Sequence, residues 1–411
     1  MKLLYLFNLY QQPGGENLWV RSEPELFRAR GHDVIIYERD NKEIQGWSLG
    51  KKAALLWQAR WSRESYAAVR ELIRRERPDI AHVYNTLVLL TPSVYYACRD
   101  EGVPIVQSVY NYRLLCPAGN FLREGKVCEE CVEHSLLRSI RHACYRDSYV
   151  QSAALAATLT SHRRMGTWTS VIDRYLVPTA FMKRKLVENG LPAERITIKP
   201  NYHEPDPGLR EETDGSVLYT GRLSEEKGIH TLVEAWKLLK NPPLLRIIGD
   251  GPLRSSLART LADHPDLRVE LMGLQNHSQV ISHLKTASCF VLPSEWYEAF
   301  PHVILEAFAC AVPILASRIG TLPDVITDGI TGMLFDPGSP EDLASKMNWM
   351  LQHPATVSNI GIAGRHEYVT KYTADKNYER LLGIYESTAR SAGTRQYETV
   401  SPEQELSSPL Q

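Results

Sequence analysis

Short apolar runs alternate with amphipathic stretches along the first two hundred residues. The apolar run at residues 2–7 predicts a buried strand, and residues with helical spacing follow before the next apolar run begins. Strands that alternate with helices form parallel sheets covered on both faces, so this rhythm predicts an α/β fold. The predicted strands are 2–7, 34–37, 80–84 and 105–109, and the predicted helices are 25–30 and 65–76.

The rhythm pauses at residues 201–215, which are rich in proline, glycine and acidic residues, and then starts again. We interpret this segment as a linker, because a chain of 411 residues is too long for one ordinary core. We therefore expect two Rossmann-like, doubly wound parallel-sheet domains that face a cleft, over residues 1–200 and 216–372. In the second half we predict strands at 217–219, 245–248 and 289–292, and helices at 231–239, 303–310 and 341–351.

The end of the chain and its composition narrow the class of protein. Residues 373–391 have helical spacing and are expected to pack back on the N-terminal domain, whereas residues 392–411 have the composition of a disordered tail. No apolar run reaches the roughly 18 residues that a membrane helix needs. The first apolar run is short, is interrupted by Asn8, and is not followed by a signal-peptide cleavage site, so we expect a cytoplasmic protein. A net charge of -1 does not favour nucleic acid as a partner.

Two cations lie on the loop that follows the first predicted strand of the second half. Arg222 and Lys227 are five residues apart in Gly-Arg-Leu-Ser-Glu-Glu-Lys-Gly, just before a predicted helix. Two fixed cations near a helix N-terminus suit a diphosphate. Glu225 and Glu226 leave a second interpretation open, in which they neutralise the cations on a solvated loop.

Two carboxylates flank the start of a later predicted helix. Glu298 precedes this helix and Glu306 lies about a turn and a half inside it, while Pro301 suits its first turn. One carboxylate could bind sugar hydroxyls and the other a ribose, with the first-turn N–H groups facing phosphates. A buried helix with one solvated acid and one capping acid is the alternative. Turns at other strand ends could also line a ligand, through Gly221, Gly249, Gly251, Gly273 and Leu274, although turn geometry alone explains the glycines equally well.

These motifs and their order along the chain resemble those of the retaining glycosyltransferases of family 4, which have the GT-B fold. The similarity runs from about residue 217 to 335, and Ala299 and Ala311 stand where the family often has glycine. The matching residues are Gly221-Arg222-Leu223, Lys227-Gly228, Ile248-Gly249-Asp250-Gly251-Pro252, Leu292-Pro293-Ser294, Glu298, Glu306-Ala307-Phe308-Ala309, Ile319-Gly320, Pro323-Asp324-Val325, Asp328-Gly329 and Gly332.

This resemblance implies a reaction and a role for each residue. It implies retaining transfer of a sugar from a nucleotide-diphosphate donor to a polysaccharide, lipid-linked or small-molecule acceptor. Arg222 and Lys227 would hold the diphosphate, Glu298 the transferred sugar and Glu306 the ribose, with Phe300, Pro301 and His302 against the donor. The chain has no Asp-x-Asp pair to hold a metal on the diphosphate, so we expect no cofactor for catalysis.

The N-terminal half offers two features near the expected cleft. Gly14 and Gly15 follow the first predicted strand and would approach the donor phosphates, although a plain strand–helix turn explains them equally well. Tyr110 stands where related enzymes often have a histidine near the sugar, and it could hydrogen-bond the sugar or simply pack. A non-catalytic sugar-nucleotide-binding protein and a GT-B sugar-nucleotide epimerase are therefore the alternatives to a transferase.

Four cysteines form a separate cluster at residues 116–144. Cys128 and Cys131 have the spacing of a metal-ligand pair, and Cys116 and Cys144 bracket them. Four thiolates could bind structural zinc, or an iron–sulfur cluster. Such a metal would stabilise a charged insert that has little hydrophobic core of its own. Four ordinary reduced cysteines are the alternative. Residues 132–186 carry nine lysines and arginines against three acids, which suits either solvated helix faces or peripheral contact with an anionic membrane.

Overall fold

The computed structural model describes residues 1–10, 16–210 and 212–392. In these residues the chain forms two six-stranded parallel sheets, which confirms the predicted fold class. Gly14, Gly15 and residues 393–411 of the predicted tail lie outside the described residues. The strands are β1 Lys2–Leu9, β2 Asp33–Asp40, β3 Ile80–Val83, β4 Ile105–Ser108, β5 Leu122–Arg123, β6 Lys126–Val127, β7 Arg174–Val177, β8 Ile196–Ile198, β9 Val217–Thr220, β10 Leu245–Ile248, β11 Val269–Gly273, β12 Cys289–Leu292, β13 Ile314–Ser317 and β14 Met333–Phe335.

Helices connect these strands and cover the sheets. Helix α1 begins at Glu16, nine residues before the predicted start, and contains Pro24 in its interior. None of the described helices is both long enough and apolar enough to span a bilayer. The helices are α1 Glu16–Ala29, α2 Leu49–Gln58, α3 Arg63–Glu76, α4 Ser93–Asp100, α5 Glu130–Glu133, α6 Arg138–Arg141, α7 Tyr149–Arg164, α8 Ala180–Glu188, α9 Ile229–Leu238, α10 Arg254–Ala262, α11 His277–Thr286, α12 His302–Ala309, α13 Leu322–Val325, α14 Pro340–Gln352, α15 Pro354–Lys371 and α16 Ala374–Ala392.

The strand order places a switch point in each sheet. The first sheet has the order β2-β1-β3-β4-β7-β8, so the chain builds outward from β1 on one side and then continues on the other. The second has the order β11-β10-β9-β12-β13-β14, with its switch between β9 and β12. Loops that leave neighbouring strands at such a point diverge to opposite faces and open a crevice, which is where open α/β sheets bind ligands.

The last described helix, α16, lies on the first sheet rather than the second. The Tyr385 hydroxyl is 3.1 Å from the Tyr5 hydroxyl of β1 and 2.5 Å from Nδ1 of His82 on β3. Leu381 and Tyr385 are fully buried in the same apolar cluster as Leu3 and Tyr5. The chain therefore returns to its first sheet after completing the second.

Candidate active site

The loops that leave β9 and β12 lie side by side, because these two strands are neighbours at the switch point of the second sheet. The Glu295 backbone N–H donates to the Glu226 carbonyl at 2.9 Å. The Thr231 hydroxyl donates to the Glu295 carboxylate at 2.5 Å. These bonds fix the 3-10 turn Glu225–Lys227 against the segment that carries Glu298.

Lys227 and Glu298 meet across these two loops. The Lys227 ammonium donates to Glu298 Oε1 at 2.6 Å, and the Ser294 hydroxyl donates to the same oxygen at 2.7 Å. The Trp296 ring lies 5.1 Å from the ammonium, close enough for a cation–π contact. Glu298 is buried whereas the Lys227 side chain is 19% exposed. The ammonium can therefore offer further hydrogen bonds to an anion in the cleft.

Arg222 is directed to a different partner. Its guanidinium forms an ion pair with Glu226, its Nε donates to Ser224 Oγ at 3.3 Å, and the side chain is 62% exposed. Of the two cations predicted to hold a diphosphate, Lys227 is among the described residues that line the cleft and Arg222 is not. The Arg222–Glu226 ion pair corresponds to the second interpretation of this loop, in which an acid of the loop neutralises the cation.

Glu306 lies within a group of histidines that line the same cleft. It accepts hydrogen bonds from His302 Nδ1 at 3.1 Å and His277 Nε2 at 3.0 Å. Burial would raise the pKa of Glu306, but the hydrogen bond from His302 and the charge of the histidines outweigh it and hold that pKa below the ordinary 4.5. Glu306 is therefore ionised at neutral pH and presents acceptor oxygens. Pro301 is the N-cap, one residue before α12, rather than a residue of its first turn as predicted, and it is not among the described residues that line the cleft.

Three cleft residues that the sequence did not single out carry buried polar atoms without a hydrogen-bond partner in the described residues. These atoms are Asn201 Oδ1, both ring nitrogens of His203, and Trp296 Nε1. Burial lowers the pKa of His203 to about 4, so its ring is neutral and offers one donor and one acceptor. Buried polar groups without partners suggest a missing ligand. Asn201 and His203 fall in the predicted linker. The only feature of the sequence that could have indicated a role in the site is their position just beyond β8.

The same histidines could also hold a metal. Among the described residues, His203, His302 and Glu306 form the one group of three potential ligands whose binding atoms all lie within 4.8 Å of one another. The four predicted cysteine ligands, Cys116, Cys128, Cys131 and Cys144, are all free thiols and do not form such a group. Two imidazoles and a carboxylate suit a transition metal such as zinc.

The predicted glycine turns shape the edge of the second sheet. Gly249 has a φ of 144°, and a Cβ there would lie 1.9 Å from the Gly221 carbonyl oxygen, so a side chain is excluded. The Gly249 N–H in turn donates to the Gly273 carbonyl at 2.8 Å. Gly251 packs against the Leu223 backbone and Leu274 is 76% exposed. These residues bring the ends of β9, β10 and β11 together without lining the cleft described below.

The cleft has a volume of about 810 Å³, enough for a nucleotide sugar. Tyr110 contributes to it from the first half of the chain, with its ring stacked 6.1 Å from that of Tyr84. Tyr110 also borders a small cavity at the end of β3. The predicted residues brought together around the cleft are Tyr110, Lys227, Glu298, Phe300, His302 and Glu306.

Comparison with known proteins gives matches along most of the chain. Residues 15–202 match the "Glycosyl transferase 4-like domain" family and residues 203–367 match "Glycosyl transferases group 1". An alpha-D-kanosaminyltransferase of Streptomyces kanamyceticus is 30% identical over 300 residues, which cover 71% of this chain and 72% of that protein. The sulfoquinovosyl transferase SQD2 of Arabidopsis thaliana is 28% identical over 72% of this chain, but the match spans only 54% of SQD2.

A solved structure has the same fold. The Anabaena protein HepE, determined in complex with UDP, superposes with a TM-score of 0.66 at 17% identity, and the match covers 94% of this chain and 100% of HepE. Identity this low supports the fold alone. Across the curated relatives first matched, the chain spans about 54–60% of their length.

Proposed function

Because the chain belongs to the glycosyl transferases group 1 family, we propose that it transfers a hexosyl group from a nucleotide-diphosphate sugar to an acceptor, with retention at the anomeric carbon and without a catalytic metal. The observation that carries this proposal is the Lys227–Glu298 pair beside Glu306 in one cleft. A cation next to two ionisable carboxylates suits a ligand with an anionic diphosphate between two polyhydroxylated sugars.

Each residue has a role that follows from its contacts. Lys227 exchanges its bond to Glu298 for the diphosphate and stabilises the charge that develops on the leaving group. Glu298 then accepts from hydroxyls of the transferred sugar. Glu306, fixed by His302 and His277, accepts from the ribose hydroxyls. Arg222 reaches the diphosphate only by leaving Glu226, which its exposed side chain allows.

The proposed reaction proceeds on one face of the sugar. The bond between the anomeric carbon and the phosphate oxygen breaks, and a bond from that carbon to the acceptor oxygen forms on the same face. The acceptor hydroxyl proton passes to the leaving phosphate oxygen, so no side-chain base is needed. Tyr110 would then contact the sugar or the acceptor rather than take the acceptor's proton.

We further propose peripheral contact at an anionic membrane, which would suit a lipid-linked or polysaccharide acceptor. Helices α6 and α7 of the first half pack together. Leu137, just before α6, and Tyr149 and Val150, at the start of α7, are each 60–66% exposed, and α6 carries Arg138 and Arg141. Exposed apolar side chains near cations suit a membrane interface. Co-sedimentation with anionic vesicles, but not neutral ones, would support this contact, and equal partitioning to both would contradict it.

The transfer proposal is tested by donor binding followed by turnover. Nucleotide sugars are screened by thermal shift, and the best donor is incubated with candidate acceptors while nucleotide diphosphate release and product anomer are measured. Retention, insensitivity to EDTA and dependence on acceptor support the proposal. Donor consumption without acceptor and formation of an epimeric sugar would favour the epimerase, whereas donor binding with no turnover in any acceptor, restored by Tyr110→His, would favour the binding protein.

A further inference from the structure

Three side chains that are good metal ligands meet at the wall of the cleft from two separate parts of the chain. His302 and Glu306 are four residues apart on α12, so they lie on one face of that helix. His203 approaches them from the segment beyond β8, and its ring centroid is 5.0 Å from that of His302. The binding atoms of the three side chains all lie within 4.8 Å of one another.

His203 is held in place by its backbone, while its ring is left open to a ligand. Its N–H donates to the Tyr372 carbonyl at 2.9 Å, and its carbonyl accepts from the Tyr368 hydroxyl at 3.1 Å. The residue is only 2% exposed, yet neither ring nitrogen has a hydrogen-bond partner in the part of the chain that the structure describes. A buried polar side chain without a partner points to a ligand, and an imidazole nitrogen is a common ligand of metal ions.

His302 and Glu306 already have nearly the separation that a shared metal ion requires. His302 Nδ1 is 3.1 Å from Glu306 Oε1, and His302 Nε2 is 3.3 Å from the Tyr202 carbonyl oxygen. Two ligand atoms bound to one tetrahedral zinc ion, each about 2.0–2.1 Å from it, lie about 3.3 Å apart. An ion can therefore replace the proton between Nδ1 and the carboxylate with little movement, while Nε2–H donates to the carbonyl. Metal-bound histidines usually donate their other N–H in this way.

We propose that His203, His302 and Glu306 bind a zinc ion that prevents the donor from entering the cleft. Two imidazoles and one carboxylate form a ligand set typical of zinc with an open fourth position. His277 Nε2, 3.0 Å from the same Glu306 oxygen, can fill that position in place of water. The proton on His302 Nδ1 passes to solvent as the nitrogen bonds to zinc.

Zinc and donor compete because both need Glu306. This carboxylate is the group proposed to accept from the ribose hydroxyls, and the ion occupies its oxygens. Zinc therefore has no part in the proposed transfer and acts as an inhibitor of it. The competition rests on the proposed function, whereas the metal site itself rests only on the three ligands.

Zinc binding is tested on the full chain, purified without a histidine tag and stripped with EDTA. Calorimetric titration with zinc chloride should show one tight site, and cobalt should give visible d–d bands without thiolate-to-cobalt charge-transfer absorption. His203→Asn, whose amide is a poor zinc ligand, should weaken the site at least about 100-fold. Glu306→Gln should weaken it as well, so the result does not depend on the folding of one variant. His264→Asn, at an exposed position, is the control and should bind as the wild type does.

Three outcomes would overturn the metal site. The first is a wild-type protein without a tight site, and the second is equal zinc affinity in His203→Asn, Glu306→Gln and wild type. The third is thiolate charge-transfer absorption in the cobalt protein, because the three proposed ligands contain no sulfur.

Competition with the donor has a separate readout. With the donor selected by the thermal-shift screen, zinc at ten times its dissociation constant should raise the apparent donor KM about tenfold and leave kcat unchanged. EDTA should restore the original KM. His203→Asn should show no such rise, and this variant also controls for chelation of zinc by the donor diphosphate. A fall in kcat at constant KM, or an equal rise in KM in His203→Asn, would contradict the competition. If no donor is turned over, the proposed function fails while the calorimetric titration still decides the metal site.

Discussion

Two lysine–glutamate pairs in the chain have the same chemistry in different surroundings. Lys199 and Glu23 form an ion pair in which both side chains are fully buried, whereas Lys227 and Glu298 form a pair that opens on the cleft. Tyr84 and Asn377 complete the first pair by donating to Glu23, so that α1, α16 and the ends of β3 and β8 meet there. The first pair has no room for another partner, and the second does.

The difference indicates what each pair does. A buried ion pair recovers its desolvation cost only while every partner is in place, so Lys199 and Glu23 connect elements of the fold. Lys227 keeps part of its surface exposed and can exchange a carboxylate for a phosphate at little cost. The same substitution at the two lysines should therefore separate stability from activity.

The largest effect is expected for Lys199→Met. Removing the cation leaves Glu23 buried without compensation, which should lower the free energy of unfolding by about 3–5 kcal/mol. Urea unfolding at pH 7 measures this value. Lys227→Met is the matched comparison and is expected to lose less, because its pair opens on the cleft, where water can reach the Glu298 carboxylate. An equal loss in both variants would remove the distinction between the two pairs.

The loss of activity should be larger for Lys227→Met than for Lys199→Met, which is the reverse of the order expected for stability. Lys227→Met removes the cation proposed to stabilise the leaving diphosphate, so kcat should fall by about 10²- to 10³-fold. Lys199→Met, assayed at a temperature where it is folded, should retain most of its turnover per folded molecule. A Lys227→Met enzyme with normal turnover would reject the site, and Lys227→Arg, which keeps the charge, should recover part of the rate.

Lowering the pH should reduce the difference in free energy of unfolding between the wild type and Lys199→Met. Burial alone would raise the pKa of Glu23, but Lys199, His82 and Tyr84 outweigh it and hold that pKa below 4.5. The wild-type pair thus contributes stability above the unfolded pKa and loses it as pH falls through the folded pKa. Without Lys199, burial raises the pKa of Glu23, and that variant is least stable at high pH.

Urea unfolding at pH 7 and pH 5 measures this narrowing. We expect the difference between the two proteins to shrink by about 1–3 kcal/mol at pH 5, because Glu23 in the variant takes up a proton. The double variant Lys199→Met with Glu23→Gln removes the titrating group and is the control. A constant difference across this range would mean that Glu23 does not carry the effect.

The same contrast explains which parts of the molecule could be predicted from the sequence. The two-sheet fold, the position of Glu306 within α12 and seven of the strands (β1 to β4, β9, β10 and β12) follow from local periodicity and motif order, whereas β7, β8, β13 and β14, at one side of each sheet, were not predicted. The partner of Arg222 and the approach of Asn201 and His203 to the cleft depend on contacts between residues far apart in the chain. Local pattern contains no information on such contacts, which is why it places His203 in the linker and does not single out Lys199.

The smallest effect we predict concerns His203. Its buried, neutral ring has no hydrogen-bond partner in the described residues and lies in the cleft beside His302 and Glu306. If it donates to the donor's ribose or phosphate, His203→Phe should raise the donor KM about tenfold, or about 1.4 kcal/mol, with a smaller change in kcat. His203→Asn, which can still form a hydrogen bond, should lose less, and His264→Phe, at an exposed position, is the control. Equal KM values for His203→Phe and wild type would mean that the unpartnered nitrogens do not bind the donor.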